Sequence, residues 1–295
     1  MRHLFFALLI LILLTPSFVL AGEPQLQPAT IDSGGVAVLR WPGAPPQKAR
    51  VRFNDRDFSL WPDENGAFAL LGADLGMPPG IYPVTISGID GKGRDFAASL
   101  PLQIRAVERP EERLRLPAEM VTPRTPATIE RIGREKKMLT LLFADGSAPP
   151  LWNGFIRPVN DPFGSMFGLR RILNGEPRSP HAGIDFRSPR GTPVRASGRG
   201  RAILVDDLYF TGRTVVLDHG AGLFSLYAHL DRTFCRTGEL LERGAVLGEV
   251  GSTGRSTGPH LHWGFKLAGD RIDPLALLAA FPVGKNLDSP PHEGE

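Results

Sequence analysis

The sequence predicts an all-β chain of two units: an N-terminal β-sandwich and a C-terminal compact antiparallel β domain, joined by a short helical linker. Three observations carry that reading. Short runs rich in β-branched and aromatic residues recur through both halves of the chain. Turn pairs such as Gly34-Gly35, Asn65-Gly66, Pro79-Gly80 and Asp90-Gly91 separate those in the first half. The clear helix-start signal is Thr125-Pro126, an N-cap residue followed by proline at the first helical position. At 295 residues the chain exceeds one typical domain. Charged residues at 22% and hydrophobic ones at 42% describe an ordinary soluble globular protein.

Taken in order, residues 1–21 read as a signal peptide. Arg2 supplies a short positive region and Leu4 to Leu14 is an unbroken apolar run. Thr15-Pro16-Ser17 follows, then Val19-Leu20-Ala21, which suits a signal peptidase. That apolar run is 11 residues long, whereas roughly 20 are needed to span a bilayer. Cleavage is therefore expected, leaving no transmembrane anchor. No cysteine follows the run, which argues against a lipid anchor. The expected location is outside the cytoplasm: periplasmic, extracellular or associated with the cell wall.

Residues 22–107 read as an immunoglobulin-like β-sandwich. Val36 to Trp41, Ala49 to Phe53 and Ile81 to Ile86 are its clearest strands, spaced by turns at sandwich-like intervals. No histidine occurs between His3 and His181, and no catalytic cluster is visible there. A binding, targeting or covering module is the expectation, leaving open an envelope partner reached through it.

Residues 108–150 read as a linker with one helix. Arg109-Pro110-Glu111-Glu112-Arg113 is charged, and Ile129, Ile132, Met138, Leu139 and Leu142 can form an apolar stripe ending near Ala144, with Asp145-Gly146 as the stop. Gly133 weakens that helix by about 1 kcal/mol relative to alanine. Residues 151–283 return to glycine-punctuated β pattern, as in Gly200 to Val205 and Thr214 to Leu217. The tail, 284–295, is rich in proline, glycine and charge and is expected to be disordered.

Composition excludes several chemistries. A net charge of +3, without Lys/Arg blocks alternating with aromatics, gives no indication of nucleic-acid binding. Cys235 is the single cysteine, so no intrachain disulfide can form and zinc sites built from several thiolates are excluded. A metal site must use nitrogen and oxygen ligands.

Such ligands are conspicuous. In Gly258-Pro259-His260-Leu261-His262-Trp263 two histidines flank one leucine. If this stretch is a strand, both rings project from one face, with backbones ~7 Å apart. One ring can bind a metal while the other handles protons. His181 and Asp185, four residues apart, add two ligands of types that zinc accepts, and His229 in Leu-Tyr-Ala-His-Leu is a fifth candidate. His219 reads as a turn or supporting histidine rather than a ligand. Arg170 and Arg171 either meet a substrate carboxylate or form a solvated pair.

Several ordered motifs point to a known family. Phe163-Gly164-Ser165-Met166-Phe167-Gly168-Leu169-Arg170-Arg171, His181-Ala182-Gly183-Ile184-Asp185, Gly191-Thr192-Pro193-Val194, Tyr227-Ala228-His229-Leu230 and Gly254 to His262 occur in that order. Together they resemble the lysostaphin-type (LytM-like) zinc endopeptidases, which cut peptide crosslinks of bacterial peptidoglycan. The resemblance covers about residues 152 to 275. It implies a compact antiparallel domain, duplicated-hybrid-motif-like, with its metal in a groove. It also implies one zinc per chain on His181, Asp185 and His262, with His229 and His260 as unligated catalytic histidines, and peptidoglycan peptide stems as substrate. A three-ligand zinc leaves a position for water, whose pKa it can lower to roughly 7. His260 is then the natural general base and His229 the stabiliser of the oxyanion or donor to the leaving amine, though the roles can exchange.

Asp161 stands where family members often carry glycine. Latent members block the fourth zinc position with an upstream asparagine, a role open to Asn153 or Asn160. A catalytically silent or latent member regulating other wall hydrolases is the rival reading; the presence of all five site residues weighs against it. A phosphocarrier-like use of paired histidines sits poorly with export and the matched aspartate.

Overall fold

The computed structural model describes residues 23–144 and 148–283. The signal-peptide reading at 1–21, the helix stop at Asp145-Gly146 and the tail at 284–295 lie outside the described residues. Nine strands build the first unit: β1 (Gln25–Gln27), β2 (Thr30–Asp32), β3 (Val36–Pro42), β4 (Gln47–Phe53), β5 (Arg56–Phe58), β6 (Trp61–Asp63), β7 (Gly66–Gly72), β8 (Gly80–Ile89) and β9 (Asp95–Arg105). They form two sheets, ordered β1-β3-β7-β6 and β2-β9-β8-β4-β5, as expected of a sandwich.

The two sheets differ in patterning. On β8, Val84 and Ile86 are buried while Thr85 and Ser87 are exposed, the alternation of a sheet with one wet face. On β3 and β7 nearly every side chain is buried. Ala37, Leu39, Trp41, Ala67, Ala69 and Leu71 point into the sandwich core. Val36, Val38, Phe68 and Leu70 point the other way, into a cluster shared with Phe265, Leu267, Ile272 and Leu277 of the second unit. A sheet apolar on both faces must be covered on both, and the C-terminal unit is the cover. Asp74 receives the backbone N–H and guanidinium of Arg271 across this contact, and Arg56 bonds the Ala268 carbonyl. The sandwich is thus docked mainly through β3 and β7 of its inner sheet.

The linker contains β10 (Glu111–Leu114), α1 (Ala118–Val121) and α2 (Pro126–Leu142). Thr125 caps α2, its hydroxyl accepting the Thr128 N–H. Met138, Leu139 and Leu142 pack on Phe143, Leu208 and Phe224, whereas Ile129 is exposed. Two expectations need correction. The charged, linker-like segment around Glu111-Glu112 is a strand, because its backbone pairs in parallel with Arg170–Leu173. The linker also carries a second helix, of one turn.

The second unit comprises β11 (Arg170–Leu173), β12 (Glu176–Pro177), β13 (Ile184–Phe186), β14 (Pro193–Arg195), β15 (Gly200–Leu208), β16 (Gly212–Asp218), β17 (Leu223–Thr233), β18 (Leu240–Leu241), β19 (Val246–Val250), β20 (Leu261–Leu267), β21 (Asp270–Ile272) and α3 (Pro274–Ala280). Its main sheet is antiparallel, ordered β13-β20-β17-β16-β15-β18, with β19 on β17 and β21 on β20. No helix among the described residues is long and apolar enough to cross a membrane.

Candidate active site

Antiparallel register brings the ligand candidates together. Asp185 on β13 lies directly opposite His262 on β20, and cross-strand partners at such positions hold their side chains within contact distance. His181 enters from the preceding loop, its backbone N–H bonded to the Leu169 carbonyl. Gly183 makes the approach possible: a Cβ there would sit 2.4 Å from the Trp263 carbonyl oxygen and 2.8 Å from the His262 ring. The outcome is a convergence of lone pairs. His181 Nε2 lies 2.9 Å from Asp185 Oδ1 and 2.9 Å from His262 Nδ1, which is itself 2.8 Å from the same carboxylate oxygen.

These three residues form the metal-competent group found among the described residues. The donor set fits a divalent cation. His181 Nδ1 lies 2.9 Å from the Met166 carbonyl and donates its N–H there, which leaves Nε2 as a bare lone pair aimed at the cluster. Burial pushes the His262 pKa down to about 4 even though Asp185 opposes the shift, so the ring is neutral near pH 7. Burial alone would raise the Asp185 pKa; its contacts with His181 and His262 prevail and hold it well below the carboxylate range. Two imidazole nitrogens and a carboxylate oxygen converging in this way are ligands that a zinc ion accepts.

The other carboxylate oxygen, Asp185 Oδ2, accepts from Arg171 Nη2 at 3.1 Å, and Arg171 Nε donates to Glu112 Oε2 at 3.2 Å. Ser165 Oγ donates to the other oxygen of Glu112. The linker strand β10 therefore anchors the arginine that orients Asp185. Arg171 and Arg170 part company, since Arg170 is exposed.

His229 and His260 form a second pair, their rings 4.6 Å apart. His229 sits in a bulge of β17 with φ of 62°, an uncommon conformation for a residue with a side chain. Its Nδ1 donates to the Thr253 carbonyl at 2.8 Å. Burial, then the neighbouring His260 and His262, push its pKa to about 3. His260 is not within the strand as the His-x-His pattern predicts. It precedes β20 and bridges Gly251, continuing the pairing for one residue. Its Nδ1 donates to the Gly258 carbonyl at 2.8 Å, and its Nε2 lies 4.0 Å from Asp185 Oδ1. In both rings the Nδ1 proton is committed to backbone, so Nε2 is the free acceptor. Both line the open groove.

The remaining sequence candidates fall elsewhere. His219 is a core residue: its ring bonds the Arg199 carbonyl and Ser225 Oγ, and burial lowers its pKa to about 4. Asn153 accepts from Arg243, and neither Asn153 nor Asn160 lines the groove. Asp161 anchors its own loop by accepting the Ser188 hydroxyl.

Residues 179–274 match the model of peptidase family M23. A solved structure from Pseudomonas aeruginosa, described as a peptidase M23, is 31% identical and covers 84% of this chain and 95% of its own, with a TM-score of 0.65. The chain belongs to peptidase family M23. Curated relatives include the peptidoglycan DD-endopeptidase ShyB of Vibrio cholerae, 37% identical over 37% of this chain and 25% of that protein. The DD-carboxypeptidase/endopeptidase Mpg of Neisseria meningitidis is 41% identical over 35% of this chain and 24% of its own length. The matched stretch therefore spans about a quarter of these curated relatives. The M23 match contains all five site residues but stops short of Glu112 and Arg171. Sequence reading missed Glu112 because a Glu-Glu-Arg run between units looks like solvated linker; its alternation with Leu114 and Leu116 was the available signal.

Proposed function

We propose that this M23 peptidase is a zinc-dependent endopeptidase that hydrolyses peptide crosslinks of bacterial peptidoglycan outside the cytoplasm. Its working parts are then the sandwich (22–107), the linker (108–150) and the peptidase unit (151–283), exported by the leader at 1–21. The observation that carries the reading is the pairing of two histidine sets in one groove. One set, His181 and His262 with Asp185, converges on a point where one zinc ion would be held. The other, His229 and His260, keeps a free Nε2 beside it. Zinc in that position supplies Lewis acidity toward a scissile carbonyl and toward water.

The chain's own groups do the proton handling. His260 Nε2, next to Asp185, takes the proton of the attacking water and then holds it where a leaving amine can receive it. His229 offers an acceptor at Nε2, because its N–H is tied to Thr253. In that state it orients water or a substrate N–H; an oxyanion role would require a second proton, which burial disfavours. Arg171, donating to Asp185 Oδ2, keeps the carboxylate aimed at the metal position.

The test is mass spectrometry of purified crosslinked muropeptides incubated with the zinc-loaded mature chain. Dimers should become monomers with gain of one water per crosslink. A chelator should stop the reaction and zinc should restore it. Intact dimers under zinc saturation would overturn the proposal and favour a silent regulator of other wall hydrolases.

A further inference from the structure

Three guanidinium groups, from Arg171, Arg178 and Arg255, line a cavity of about 610 Å³ that also reaches His181, His229 and His262, and no aspartate or glutamate among the described residues lines it. Two of the three are paired. Arg171 is engaged by Glu112 and Asp185, and Arg178 by Glu176 and the Thr122 hydroxyl. Arg255 differs. Its backbone N–H bonds the Phe210 carbonyl, but its guanidinium has no hydrogen bond or ion pair among the described residues. It lies over the Phe210 ring, 4.4 Å from the centroid. A contact over the ring face positions the group without using its N–H donors, which stay without acceptors among the described residues.

The electrostatics are those of a site awaiting an anion. Burial, followed by the charges of Arg171 and Arg178, pushes the Arg255 pKa down, so the guanidinium is held where its charge is disfavoured. Val121, Ile129 and Ile132 supply apolar wall on the linker side, which strengthens any ion pair formed there. A planar fork of donors without an acceptor among the described residues is matched by a carboxylate, which can accept two of them in parallel.

We propose that Arg255, held over the Phe210 ring, is a specificity-determining residue that binds a carboxylate carried by a substrate residue flanking the scissile bond. The inference rests on the peptidase reading only in taking this cavity as substrate groove. A crosslink whose flanking residue keeps a free carboxylate would be favoured over one where that position is uncharged, such as a glycine chain.

The experiment has two arms. In the first, the zinc-loaded mature chain acts on one crosslinked muropeptide dimer, prepared either with free carboxyl groups or with the same groups amidated. Wild type should prefer the free acid in kcat/KM by about 10- to 100-fold, the worth of hydrogen bonds to a charged group. Arg255→Gln should collapse that ratio toward one, and Arg255→Lys should retain part of it. In the second arm, calorimetry on the zinc-free chain compares the muropeptide monomer as free acid and as amide, with inorganic phosphate as a competitor. Wild type should bind the acid more tightly, and Arg255→Gln should lose the difference. Equal handling of acid and amide by wild type overturns the proposal, whatever the variants do. So does a Gln variant that weakens both forms equally, because that is the mark of a purely structural stack on Phe210. Absence of cleavage by wild type would count against the peptidase reading, and the binding arm would still decide the role of Arg255.

Discussion

The two units bury different chemistry. Every buried residue described in the sandwich is apolar or glycine, whereas His181, Asp185, Ser188, Ser197, Thr214, His219, Ser225, His229 and Asp270, all in the second unit, are buried and polar. Buried polar groups cost free energy unless partnered, so their segregation marks where the fold does something besides holding together. Within the second unit the polar groups divide again. His219, Ser225 and Tyr227 form a closed network bonded to each other and to backbone. His229 and His260 keep one ring nitrogen each facing the groove. Closed networks specify a core; open ones can act on a substrate.

The largest effects should separate the histidines. His262→Ala should lose zinc and hydrolysis together, since one of the three proposed ligands is gone. His260→Ala should keep zinc near one per chain while kcat/KM falls by roughly 10²- to 10⁴-fold, the range for a lost general base. Elemental analysis beside muropeptide kinetics decides it; equal zinc loss in both variants would mean that the division between ligand and base is wrong.

Next comes the docked sheet. Phe68 faces the second unit and packs edge-on against Trp152. Phe68→Ala should destabilise the whole chain by about 3–5 kcal/mol, read from denaturant midpoints, with zinc content of the folded protein unaltered. A separate low-stability transition confined to the sandwich would show instead that the two units melt independently. For the same reason, a fragment beginning near Leu151 would expose the apolar partners of Val36, Val38, Phe68 and Leu70 and should aggregate.

A smaller effect is expected at the linker strand. Glu112→Gln weakens the hold on Arg171 and hence on Asp185, so zinc affinity should fall about 10-fold, at the low end for groups that orient a ligand. Competition with a chelating dye measures it, and unchanged affinity would leave β10 a purely structural strand.

The smallest effect is a pH dependence at the contact between the units. Burial would raise the Asp74 pKa, but the Arg271 side chain, the backbone N–H groups of Arg271 and Gly76 and the guanidinium charge outweigh it and bring it to about 2. A carboxylate with a depressed folded-state pKa adds stability that is present above its unfolded value near 4 and disappears as pH falls toward 2. Asp74→Asn should therefore lower Tm at pH 6 and match wild type near pH 2. Because Asp74 is partly solvated, the difference is about 1 kcal/mol at most. A gap that persists at pH 2 would place the contribution in shape rather than charge.

Much of this was legible in residue order. Unbroken apolar runs such as Val36-Ala37-Val38-Leu39 carry the mark of a sheet buried on both faces, and the Thr125-Pro126 cap set the start of α2. The five candidate site residues could be named because several short motifs that hold them occur in an order that resembles the lysostaphin-type zinc endopeptidases. What stayed hidden depends on partners distant along the chain. Glu112 lies 59 residues from Arg171, and nothing local says that its strand will pair with β11. The unpaired state of Arg255 likewise depends on carboxylates that could have been near it and are not.

The sequence by itself determined strand periodicity, the helix cap, the exclusion of zinc sites built from several thiolates and the identities of the ligand candidates, because each follows from side-chain type at short range. Only the tertiary structure decided that Asp185 faces His262, that His229 sits in a bulge with its Nδ1 proton taken, and that the linker walls the groove. Those are matters of strand register and docking, where a one-residue slip would turn every side chain to the opposite face.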